Sequence, residues 1–204
     1  MFCYTSWMNI EPPKSKQPIP KHAKKVFEGV IFDVYQWEQE IYDGTKKTFE
    51  KIKRLDTVSV FPVLPDGKIL LTAQEQPSRE NFIGAPGGRV DRGEDILVAA
   101  KRELLEESGY EAEEFILWDA QQPISKVDWA IYTFIAKGLK KVAEINPDGG
   151  EKIKFLPSTL EELVELAVND NNFGEKEISL KFFEAKFYPK KMEELKELFK
   201  PLEK

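Results

Sequence analysis

The chain has 204 residues, 41% hydrophobic and 32% charged, with a net charge of −6, which suits one sizeable globular domain or one domain with a small appendage. No run of about 18 apolar residues occurs, which excludes a membrane-spanning helix, and the acidic balance argues against long nucleic acid, whose binders carry a basic face. A single cysteine, Cys3, and a single histidine, His22, exclude a disulfide framework, a multi-histidine metal site and a Ser/His/Asp triad, and fit a reducing, cytoplasmic setting.

The opening MFCYTSWMNIEPPKSK has no basic region ahead of an apolar core and does not resemble a signal peptide. Residues 1–25, with four prolines among lysines, form an extended tail. Residues 26–55 make an N-terminal β segment in which Asp43-Gly44, between two β-rich runs, signals a hairpin. Asp66-Gly67 signals a second hairpin within TVSVFPVLPDGKILLTAQEQ. A helix follows that stops at Gly109, a residue suited to the position just past a helix end. WAIYTFIAKGL is apolar and short enough for a buried strand, and KIKFLP for another. Ser158 and Glu161 read as a capping box. Helices over roughly 159–168 and 176–199 close the chain, the second broken at Pro189, so that the main domain spans 56–187 and a C-terminal helix 188–204. Strands before and after one central helix imply an α+β fold, an α/β/α sandwich with a mixed central sheet flanked by helices.

The central helix poses a question. Glu103, Glu106 and Glu107 fall within an arc of roughly 100° on the helical wheel, beside the apolar stripe of Leu97, Ala100 and Leu104. Like charges at this spacing repel by a few tenths of a kcal/mol per pair, so something must offset them. For a bare ExxEE a solvated face is the commoner outcome. Here Gly84, Gly87, Gly88 and Gly93 precede the helix, and Arg102 lies four residues before Glu106. Three carboxylates at the edge of a core make a hard-oxygen site for Mg²⁺ or Mn²⁺ and a poor one for Zn²⁺.

Gly88, Glu94, Arg102-Glu103-Leu104, Glu106-Glu107 and Gly109 stand at the offsets of G-x5-E-x7-R-E-U-x-E-E-x-G-U. The pattern resembles the Nudix box, with Tyr110 in place of the final aliphatic residue. Residues 26 to about 187 are similar to the branch that hydrolyses ADP-ribose and nucleotide sugars.

The resemblance implies divalent-metal-dependent hydrolysis of the diphosphate bond in a nucleoside diphosphate sugar, giving a nucleoside monophosphate and a sugar phosphate. Hydrolysis of a dinucleoside polyphosphate or a non-standard triphosphate, or a non-catalytic nucleotide sensor, are the alternatives. Carried onto this sequence, Glu103 and Glu107 are metal ligands, Glu106 a third, and the Gly87 carbonyl faces a metal, while Arg102 holds the glutamates. The general base in this branch comes from a loop after the box; Glu151 fills that position, with Asp148 as the alternative. The branch's Q-x-R-P strand end here reads Gln74-Glu75-Gln76-Pro77, and Gln76 replaces the arginine. Gln76, Arg79 and the base-stacking Trp37 are the candidate substrate contacts. A homodimer built through the N-terminal strands is expected.

Overall fold

The computed structural model describes residues 10–77, 80–146 and 151–203, so that Cys3, Arg79 and Asp148 lie outside the described residues. In chain order the first strands are β1 (Lys24–Glu28), β2 (Phe32–Glu40), β3 (Lys46–Arg54), β4 (Thr57–Pro62), β5 (Ile69–Glu75), β6 (Phe82–Gly84) and β7 (Gly87–Arg89). Helix α1 (Ile96–Ser108) leads into β8 (Tyr110–Glu111), β9 (Glu114–Gln121), β10 (Val127–Asp128), β11 (Ile131–Lys137), β12 (Lys140–Lys141) and β13 (Lys152–Ser158). Then come α2 (Leu160–Asn169), a 3₁₀ turn at Lys176–Ile178, α3 (Ser179–Phe187) and α4 (Pro189–Leu198). Among the described residues no helix is long and apolar enough to cross a membrane.

Two compact units form. The first takes the chain up to Arg54 together with Ala120–Ala130. Its sheet runs β1-β2-β3-β10, with β2 and β3 in antiparallel register from Phe32↔Arg54 to Glu40↔Lys46. The expected hairpin closes at Gly44, whose φ of 81° suits a residue without Cβ, while the Asp43 carboxylate accepts from the Thr45 amide at 2.8 Å. Buried Lys51 ties the proline-rich arm to this sheet, donating to the Gln17 carbonyl at 2.6 Å and to the Ser15 hydroxyl at 3.0 Å.

The second unit, Leu55–Asp119 with Ile131–Lys204, holds a mixed sheet in the order β7-β4-β11-β9, β4 lying parallel to β11 and antiparallel to β7. A separate antiparallel sheet runs β13-β5-β6. The turn at Gly67 (φ 83°) is closed by the Val63↔Ile69 bridge, but it is not a simple hairpin, because β4 and β5 then join different sheets. The physical reason is burial. All of β11 and nearly all of β4 are enclosed, so these strands need cover on both faces, which a two-stranded ribbon does not give. Helix α1 packs on β4 and β7. Phe61 and Ile135 instead join a core with Leu163 of α2, Phe182 of α3, Leu195 of α4 and the following Phe199. Trp118 meets Phe61 and Phe199 edge-on at 5.9 and 5.5 Å, contacts worth about 0.5–1.5 kcal/mol beyond their burial.

The capping box of α2 sits one residue later than the spacing suggested. Ser158 pairs with Ile69 as the last residue of β13, so its backbone is committed to the strand, and Thr159 becomes the N-cap. Its side chain accepts from the Glu162 amide at 3.2 Å, and the Glu162 carboxylate accepts from the Thr159 amide at 2.8 Å. Thr159→Ala is expected to cost about 1 kcal/mol, read as a lower midpoint in denaturant with unchanged slope. An unchanged midpoint would show that α2 is held by packing alone. Pro189 occupies the first turn of α4, where its missing N–H costs nothing.

Candidate active site

Helix α1 begins at Asp95, whose carboxylate accepts from the amides of Leu97 and Val98 at 2.9 and 3.1 Å, and ends at Gly109 in the left-handed conformation (φ 69°). Between these caps the helix buries Ala99, Ala100, Glu103, Leu104 and Glu107. Two of the three glutamates thus lie within the packed face, with Glu103 9% and Glu107 5% exposed; Glu106 is half-buried. Glycine makes room for them. β7 pairs with β4 through Val58↔Gly88 and Ser59↔Gly87. A Cβ on Gly88 would run into the Glu103 carboxylate, and one on Gly87 into the Val58 carbonyl.

The repulsion among the glutamates is offset first by Arg102. Its guanidinium donates to both Glu94 oxygens at 3.0 Å, to Glu103 at 2.8 Å, to Glu106 at 3.1 Å and to the Arg89 carbonyl at 2.9 Å. This is the forked donation a lysine cannot give. The Arg102 bond holds the Glu94 carboxyl below the usual carboxylate range, and Glu94 is the main cause of a further rise in the arginine's own pKa.

Glu107 receives no bond from this arginine. Its Oε2 accepts from the Gly87 amide and from the Gln74 side chain, both at 3.2 Å. Burial pushes its carboxyl up to about 8, the two donors pull it down, and the charges of Glu103 and Glu151 add to the rise. Burial and the neighbouring carboxylates together disfavour the charged form of Glu107.

Gln74, 3% exposed, belongs to a line of polar side chains on one face of β5. The Thr72 hydroxyl donates to the Gly84 carbonyl at 3.2 Å and accepts from the Gln74 amide at 3.0 Å. The Gln76 amide donates to the Gln74 side-chain oxygen at 3.2 Å and to Glu151 at 2.8 Å. Register explains the last contact: Lys152 pairs with Glu75, so the preceding residue of one strand faces the next residue of the other. Gly87, Arg102, Glu103, Glu106, Glu107, Gln76 and Glu151 all belong to this unit. Trp37 belongs to the N-terminal one, on β2, tilted 42° against Phe49 with its indole N–H given to Gln39 at 3.3 Å. It lines a pocket of about 330 Å³ with Pro18, Pro20 and Lys51.

The sequence assigned no role to two residues of this site, Gln74 and Glu175. Gln74 was legible in principle, since Thr72, Gln74 and Gln76 recur at period two along β5. Glu175 was not: it is buried and accepts from the Ala85 amide at 3.0 Å across 90 positions, pinning the turn that delivers Gly87.

Among the described residues no three acidic, histidine or cysteine side chains already stand at coordinating spacing, Arg102 being engaged with Glu103 and Glu106. The donors nonetheless fit a hard divalent cation. Glu103, Glu107 and the Gly87 carbonyl all offer oxygen, the donor such a cation takes.

The NUDIX domain family model matches residues 53–184. A methanol dehydrogenase activator from Bacillus methanolicus is 29% identical over 147 residues, 70% of this chain and 79% of that protein. An ADP-ribose pyrophosphatase from Bacillus subtilis (strain 168) is 28% identical over 146 residues, again 70% of this chain and 79% of that one. The crystal structure of an ADP compounds hydrolase superimposes with a TM-score of 0.66 over 87% of this chain and 97% of that one, at 21% identity, and shares the expected α+β fold with its mixed sheet. With the family matched over most of the chain and two box glutamates, Glu103 and Glu107, on the buried face of α1, this protein belongs to the NUDIX family and is related to ADP-ribose pyrophosphatases.

Proposed function

We propose that this protein hydrolyses the diphosphate bond of a nucleoside diphosphate sugar of the ADP-ribose class, with Mg²⁺ or Mn²⁺, releasing a nucleoside monophosphate and a sugar phosphate. It is a NUDIX pyrophosphohydrolase. The metal reading rests on Glu107, a buried carboxyl beside Glu103 and Glu151 that accepts from the Gly87 amide, and the substrate reading on the likeness to an ADP-ribose pyrophosphatase. Glu103, Glu107 and the Gly87 carbonyl would hold the ion, with Glu106 as a further ligand once released from Arg102. When bound, such an ion neutralises the diphosphate and lowers the pKa of a water molecule. Arg102 orients Glu103 and Glu106 and, through Glu94, is itself fixed to the loop before α1. Glu151, just before β13, takes the proton from the attacking water. Arg79 and Trp37 are the proposed contacts to diphosphate and base. Both amide hydrogens of Gln76 are engaged within the protein. Exposed Val26, Phe27 and Val30 in the N-terminal unit suit a second copy of the chain, which supports a homodimer.

A non-catalytic sensor is disfavoured because every box glutamate is present. The deciding experiment is turnover of ADP-ribose, ADP-glucose, GDP-mannose and UDP-glucose with Mg²⁺, with Glu107→Gln as the blank. Nucleoside monophosphate released by the wild type alone is the expected result. Tight binding of one compound without release would replace the hydrolase with a sensor, and neither would move the search to dinucleotides and triphosphates.

A further inference from the structure

We propose that Gln74 is a positioning residue that sets Glu107 and Glu151 in one fixed relation, and that Gln76 acts through the same line rather than on the substrate. The inference rests on the proposed roles of those two glutamates. Its basis is the direction of each hydrogen bond. The Gly84 carbonyl can only accept, so the Thr72 hydroxyl points its hydrogen there at 3.2 Å and offers its oxygen to Gln74. Gln74 then spends both amide hydrogens, one on Thr72 at 3.0 Å and one on Glu107 at 3.2 Å. Its oxygen is left to accept, and it accepts from Gln76 at 3.2 Å, whose other hydrogen goes to Glu151 at 2.8 Å.

Turning the Gln74 amide over would set its oxygen against the Thr72 oxygen, whose hydrogen is given to Gly84, and its nitrogen against the Gln76 nitrogen. Both clashes would occur in a nearly dry site, where an unpaired polar group costs about 1–3 kcal/mol. The orientation is therefore locked from both ends. One strand face, spaced by the two-residue period of β5, dictates where a carboxylate from α1 and one just before β13 stand relative to each other. The replacement of an arginine by Gln76 gains a reason. A guanidinium has no acceptor and would carry a full charge to Glu151, whereas an amide holds that carboxylate by a neutral bond.

The test uses the full chain. Gln74→Met keeps the side-chain length and removes the amide; Gln76→Met does the same at the half-buried end of the line. Binding of Mn²⁺ alone is measured by calorimetry, and kcat and KM on the best panel substrate. For Gln74→Met, Mn²⁺ affinity and kcat should each fall on the order of 10- to 100-fold, the loss typical of removing a residue that orients a ligand, with KM little changed. Gln76→Met should lower kcat alone. A folded Gln74→Met with wild-type Mn²⁺ affinity and kcat would overturn the proposal. So would a Gln76→Met that raises KM at constant kcat, since that returns Gln76 to substrate binding. Should Gln74→Met fail to fold, Gln76→Met decides by its kcat and KM. Glu107→Gln separates the two levels: intact Mn²⁺ binding there refutes the metal site itself, while impaired binding there with an intact Gln74→Met refutes only the line.

Discussion

Glu107→Gln should sharply lower metal-dependent turnover and at the same time make the metal-free protein more stable. The two effects share one cause. In the free fold the Glu107 carboxyl is buried, faces the charges of Glu103 and Glu151, and is pushed up to about 8. An unfolded chain releases that proton near 4.5. Below about pH 4.5 both states keep it and nothing is lost. Between about 4.5 and 8 the unfolded chain ionises while the fold holds its proton, so stability declines as pH rises and levels off above about 8. At pH 7 the deficit is roughly 3 kcal/mol at 1.36 kcal/mol per decade, or several degrees in Tm for a chain of this size. Glutamine keeps the shape, still accepts from the Gly87 amide, and has no proton to lose. In EDTA the variant should melt higher than wild type, and the gap should widen from pH 4.5 to 8. Added Mg²⁺ should raise the wild-type Tm by mass action and leave the variant where it was. Turnover should fall on the order of 10²- to 10³-fold, the scale for removing one charge-stabilising group. A wild type that outlasts the variant in EDTA across that window would show that Glu107 is satisfied without a cation.

The site was legible in the sequence to the extent that its contacts are local. Three glutamates at helical spacing and an arginine four residues before one of them are dictated by the 3.6-residue period, and Arg102 does reach Glu106 at 3.1 Å. The same arithmetic placed the glutamates at the border of the apolar stripe. The structure puts Glu103 and Glu107 inside it, because Gly87 and Gly88 allow β7 to cross where a side chain would not fit. What the spacing did not reveal depends on pairing across the chain. Gln74 meets Glu107 over 33 positions and Gln76 meets Glu151 over 75, and both contacts follow from β5 leaving β4 at Gly67 to pair with β13. A turn signal marks the bend without telling which sheet the next strand joins. The same strand, extended through Ser158, moved the cap of α2 to Thr159.

Glu151→Gln should lower kcat by roughly 10²- to 10⁴-fold with little change in KM, the signature of a lost general base. Position makes Glu151 the strongest candidate among the described residues. It immediately precedes β13, accepts from Gln76 at 2.8 Å, and lies near enough to Glu107 to raise that carboxyl. Yet it is only half-buried, so water can reach it, as a base that must exchange its proton each turnover requires. Glutamine preserves the length and an oxygen for the Gln76 amide, so the variant removes the proton acceptor and leaves the line on β5 standing. Mn²⁺ affinity should therefore stay near wild type, which sets this variant apart from Glu107→Gln and Gln74→Met. A loss under about tenfold, well short of a base's contribution, would place proton removal elsewhere, on Asp148 of the preceding loop or on the box helix. A loss of Mn²⁺ affinity equal to the loss in kcat would make Glu151 a ligand instead.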